Sequence, residues 1–271
     1  MAIYPYAFTV CSVDKDTQAA HFRREPIESW IYIALIAFLV AGTIKGTLGV
    51  GLPVAAVALM AQFIDPRLAI TLMVFPILFA NTWQFFRARE RLKIAQQHWF
   101  FAFTLLISLS TATFFTSRIS TSALVIFVGI VIILFSLTNL IFNPPPISDR
   151  LDRACQGLFG VISGITGGLT AIWSPAIAIY LIGRGKEKDD FVGISGFLFL
   201  VGSIPLCIGF WQNGMLTGQT ALLSMGMMIP TLIGFSIGEY IRQRMDAKRF
   251  KSLVLVFFLL MGINLIRKGL I

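Results

Sequence analysis

The chain has 271 residues, 56% of them hydrophobic and only 13% charged, with a mean hydropathy of +0.82. That leaves too little polar surface for a soluble domain of this size and no room for a large one beside the apolar runs, so the class is a polytopic membrane protein. The formal net charge of +9 sits mainly in short loops between those runs. It therefore reads as positive-inside bias, and no nucleic-acid partner is expected.

Residues 1–29 form an N-terminal extension in which Asp14, Asp16, Glu25 and Glu28 alternate with Lys15, Arg23 and Arg24. This lacks the basic-then-apolar order of a cleavable signal. Apolar segments follow at roughly 30–62, 67–86, 97–116, 119–142, 154–182, 190–211, 217–241 and 252–268. A bilayer core takes about 20 helical residues, so most are one crossing long. Segments 30–62 and 154–182 are too long for that. Each carries a glycine cluster, "GTIKGTLGVGLP" and "GVISGITGGLTAIWSP", and is expected to be two half-length helices joined by irregular backbone. Gly42, Gly46 and Gly49 have the spacing of Gly160, Gly164 and Gly167, and "NPPPISDRLDR" separates the two copies. Three prolines there stop any continuous helix. The expected layout is a first repeat at 30–142, a linker at 143–153 and a second repeat at 154–271.

Charge tests the hairpins. If each overlong segment crosses once, lysine and arginine divide almost evenly between the two sides. If each goes in and returns, loop 87–96, the linker, loop 183–189 and loop 242–251 share one side and hold a two-to-one excess. That side is then cytoplasmic and both termini face out, which makes the repeats inverted.

The expected fold class is thus all-α, with about eight apolar segments in two inverted repeats, each opening with a glycine-broken helical hairpin. Half-helix N-termini attract anions, and two symmetry-related breaks are expected to meet near the midplane. The candidate substrate-binding residues are Lys45, Gly46, Thr47, Gly49 and Gly51 in the first break. In the second they are Thr166, Gly167, Gly168, Thr170, Trp173 and Ser174. Neither break holds a carboxylate, so the composition suits a small oxyanion. Each residue also has a structural reading. Glycines four apart can serve helix packing. Lys45 can snorkel to headgroups, and threonines can bond their own helix. Trp173 can face lipid. Asn81, Gln84, Ser195 and Glu239 are candidates for a gate or coupling group, with a Glu239–Arg242 ion pair as the competing reading. Three scattered cysteines and two histidines fit no disulfide, metal or cofactor pattern.

On "GTIKGTLGVGLPV", "DPRLAITLMV", "NTWQ" and "GVISGITGGLTAIWSPAI", residues 35–268 resemble the TauE/SafE-type sulfite and organosulfonate exporters. The family pattern G-x-x-x-G-x-x-G followed by proline is matched by Gly42, Gly46, Gly49 and Pro53, and again by Gly160, Gly164, Gly167 and Pro175. Lys45, and the closeness of Pro53 to the glycines, depart from it. The resemblance implies an inner-membrane carrier of sulfur-containing anions, not an enzyme. The expected partners are a small anionic substrate and the lipid bilayer, with a homodimer left open. An anion channel, or a carrier of another oxyanion or carboxylate, is the alternative.

Overall fold

The computed structural model describes residues 27–48, 51–88, 90–141, 144–244 and 247–271. The extension up to residue 26, with Cys11 and His21, and Gly49 lie outside the described residues. All described secondary structure is helical. The chain is an all-α membrane protein. Among the described residues, seven helical stretches are long and apolar enough to cross a bilayer, including Trp30–Thr47, Pro66–Phe86, Thr121–Leu140 and Asp190–Gln212.

The first overlong run is α1 (Ile27–Leu48) followed by α2 (Leu52–Met60). At 1.5 Å per residue α1 is roughly 33 Å long and α2 roughly 14 Å. Gly51 between them has φ 97°, a left-handed conformation that glycine adopts without cost. Pro53 then starts α2, where its missing N–H costs no helical bond. The chain continues through α3 (Pro66–Leu72), α4 (Val74–Phe86), the short α5 (Arg91–Gln97), α6 (Trp99–Thr116) and α7 (Thr121–Leu140). The second overlong run is α8 (Asp152–Thr170) and the half-length α9 (Ser174–Gly183). After them come α10 (Lys188–Gln212), α11 (Gly218–Gly226), α12 (Met228–Arg244) and α13 (Ala247–Leu270).

The breaks lie later than the glycine clusters suggest. α1 runs unbroken through Gly42 and Gly46, and α8 runs unbroken through Gly160, Gly164, Gly167 and Gly168. The second break is Ala171–Trp173, and Ala171 holds a left-handed φ of 57° that strains a residue bearing a Cβ. The glycines inside the helices serve close packing instead. A Cβ on Gly42 or Gly46 would collide with the carbonyl oxygens of Thr231 and Phe235 on α12. Gly234 and Gly238 of α12 return the contact on Leu39 and Thr43 of α1. Likewise Gly160, Gly164 and Gly168 of α8 lie against Thr104, Ser108 and Ala112 of α6. Between helices in lipid the hydrophobic effect supplies little, so near backbone contact replaces it.

Helix pairing is reciprocal: α1 packs on α12 as α8 packs on α6, while α4 pairs with α10 and α7 with α13. The loops gather at two ends. At one, Lys268 Nζ donates to the carbonyls of Ala61 and Gln62 at 3.2 and 3.1 Å. There too Arg67 donates to the Ile119 carbonyl, and Asn213 to that of Thr113. At the other end Arg184 donates to the Ile147 carbonyl and Asp149. A single crossing of each overlong run would have set Lys268 and residue 61, or Arg184 and Asp149, at opposite ends. Asn264, on α13, also bonds across helices, donating to Gln62 at 2.6 Å.

A polar cluster pins α9 to the linker end. The Tyr180 hydroxyl donates to Asp152 at 2.9 Å, Arg184 pairs with the same carboxylate at 3.1 Å, and Gln156 donates to it at 2.8 Å. Tyr180→Phe removes one donor from a charged acceptor and is expected to destabilise the fold by about 1.5–3 kcal/mol. A detergent unfolding titration measures it; an unchanged midpoint would show the cluster to be slack.

Candidate functional site

The site is built around Lys45. Its position near the end of α1 buries it to 3% exposure, and its Nζ donates to Asn81 Oδ1 of α4 at 2.8 Å. Asn81 is 2% exposed. A lysine ammonium carries three N–H donors. Among the described residues Asn81 is its single hydrogen-bond partner and no carboxylate pairs with it. A positive charge held in the membrane by one neutral amide is costly, by about 2.5–3.5 kcal/mol on insertion scales.

Lys45 lines a cavity of about 320 Å³ between α1, α4 and α12. Gly46, Gln84 and Glu239 of the expected residues line it too. Arg87 and Glu239 are exposed, as are Phe79, Trp83 and Leu232 of the lining, whereas Lys45 is buried. Gln84 Nε2 donates to the Val192 carbonyl at 2.6 Å and to Ser195 Oγ at 3.2 Å, tying α4 to α10 beside the cavity. Asn81 thus touches Lys45, Gln84 shares its cavity, and Ser195 reaches it only through Gln84. Among the described residues Glu239 forms no ion pair; the side chain of Arg242 lies outside them.

The hydroxyls are mostly committed. Thr47 donates to the Thr43 and Gly238 carbonyls, Thr166 to Ile162, and Thr170 to Thr166. Thr170 Oγ1 also accepts from Ile172 N, stabilising the second break. Trp173 is 1% exposed, so it faces the core and not lipid, and its ring lies on Gly167 and edge-on to Phe199. Its Nε1, Ser174 Oγ and Ser163 Oγ are buried without a hydrogen-bond partner among the described residues. Residues of the second break do not line the Lys45 cavity, and no extended contact joins α1 and α2 to α8 and α9.

Phe79 and Trp83 on α4, and Met228, Leu232 and Phe235 on α12, also line it and escape a sequence reading. Apolar residues in an apolar chain offer no contrast. The usable signal was Gly234-x-x-x-Gly238, a small-residue pair that marks where α12 meets α1.

The long apolar helices of the described residues define a multi-pass membrane protein. The chain belongs to the sulfite exporter TauE/SafE family, whose model matches residues 34–265. No curated protein and no solved structure matches it.

Proposed function

We propose that the chain is a secondary transporter of the cell inner membrane that exports small sulfur-containing anions by alternating access. The observation that supports this best is Lys45, a buried lysine that lines a cavity and has one neutral hydrogen-bond partner among the described residues. In this reading the side with Arg87 and Glu239 faces the cytoplasm, and both termini lie outside. Residues 30–142 and 154–271 act as inverted repeats. The unpartnered Trp173 Nε1 and Ser174 Oγ at the start of α9 form the station that the anion reaches when the repeats exchange access. An inside-negative potential favours exit of an anion by about 2.3 kcal/mol per charge per 100 mV, so export needs no coupled ion. The reading assigns the chain no catalysed reaction.

Proteoliposomes test it. Sulfite loaded inside should leave with saturable kinetics, and external unlabelled sulfite should drive counterflow of labelled sulfite. Flux that rises linearly with concentration and shows no counterflow would replace the carrier with a channel.

A further inference from the structure

We infer that the Lys45 cavity prefers an amphiphilic organic anion, with a sulfonate-type head on the ammonium and an apolar body of several carbons along the aromatic walls. This rests on the reading of the cavity as the anion site and adds which anion fits it.

Size is the first argument. At about 30 Å³ per water, 320 Å³ holds roughly ten waters and lies within the range of pockets for organic ligands. A bare oxyanion fills a small part of it. Donor supply is the second. Lys45 has N–H groups to spare, but the Gln84 amide is committed to Val192 and Ser195, and the Thr231 hydroxyl to the Met227 carbonyl. Arg87 and Glu239, which also line the cavity, have opposite charges, so their fields on a ligand there oppose one another. A strongly hydrated bare anion held on the Lys45 ammonium would exchange its water shell for that group, with Arg87 the one other cationic side chain among the described residues lining the cavity. The third argument is the wall itself. Phe79 and Trp83 on α4, 40% and 54% exposed, stand beside the same cavity as Leu232 and Phe235 on α12. Burying an apolar body there offsets the desolvation of the head.

The counterpart helix pair sharpens the contrast. A crevice of about 410 Å³ lies between α6 and α8, and no charged residue lines it. Space at this type of helix pairing is therefore not by itself an anion site; Lys45 makes the difference.

Calorimetry on the purified protein in detergent decides the matter, using sulfite, the straight-chain alkanesulfonates from methane- to hexanesulfonate, benzenesulfonate, and 1-hexanol as an uncharged competitor. The expected Kd falls about fourfold with each added methylene until the cavity is full. Benzenesulfonate should bind roughly tenfold tighter than sulfite, and 1-hexanol should not compete. Ala80→Leu narrows the apolar part and should weaken hexanesulfonate about fivefold or more while leaving methanesulfonate within about twofold. Trp83→Ala should weaken benzenesulfonate alone and serves if the first variant does not fold. Sulfite binding as tightly as hexanesulfonate, and lost in Lys45→Met, would remove the amphiphile and leave the anion site. Competition by 1-hexanol, or chain-length dependence that survives Lys45→Met, would assign the cavity to acyl chains of the bilayer. No saturable binding of any of these anions would overturn both this inference and the function it rests on.

Discussion

Alanine at Gly46 or Gly234 is expected to lower the stability of the folded protein by about 3 kcal/mol, the upper end of overpacking penalties. A Cβ at Gly46 would meet the Phe235 carbonyl oxygen, and one at Gly234 the carbonyl oxygen of Leu39. Both obstacles are backbone, on a helix that cannot rotate away without breaking its own bonds. The two helices would have to separate along the line where Gly42, Gly46, Gly234 and Gly238 interlock. In lipid that separation has no hydrophobic compensation. Against a total stability of roughly 5–15 kcal/mol this is a large fraction. Gly226, at the end of α11, is the control: nothing lies within 4 Å of its added Cβ, so Gly226→Ala should stay within about 0.5 kcal/mol. Unfolding midpoints in detergent compare them. Equal midpoints for Gly46→Ala and Gly226→Ala would mean that α1 and α12 are not held as close as described.

Lys45→Met should separate folding from function. Methionine keeps the length of the side chain and removes the buried charge. That removal relieves a membrane cost of about 2.5–3.5 kcal/mol, while Asn81 Oδ1 loses its donor at a cost of about 1–3 kcal/mol. The unliganded protein should therefore be as stable as the wild type or slightly more so. Stabilisation by added anion should disappear, because a charge-assisted hydrogen bond is worth about 1.5–3 kcal/mol, tenfold or more in Kd. Thermal unfolding with and without sulfite reads both effects in one experiment. A variant that unfolds without ligand would make Lys45 a structural residue.

The spans and their overlong members were legible because apolar length is set by bilayer thickness, and Gly51 and Pro53 mark a helix start wherever they occur together. Lys45 was legible because a charge in such a run is expensive. The exact position of each break within its glycine-rich stretch was not. Gly42, Gly46, Gly160 and Gly164 weaken a helix in isolation, but inside a bundle they accept a neighbouring backbone, and only the neighbour decides which effect wins. The second break illustrates the same limit. Its strained residue is Ala171, which no glycine pattern would select, while Gly167 is used to seat the Trp173 ring. The link from Lys45 to Asn81 spans 36 residues and needs α4 placed beside α1. The threonines were ambiguous for a local reason: a carbonyl one turn back competes with any ligand for the hydroxyl proton.

The account stands or falls on whether an anion binds at Lys45. Calorimetric titration of the purified protein with sulfite, thiosulfate, sulfoacetate and acetate, repeated on Lys45→Met, tests that most directly. Saturable binding of at least one sulfur-containing anion to the wild type is expected, with binding at least tenfold weaker, or absent, in the variant. Equal affinity in both proteins would move the site away from the first break and contradict the account.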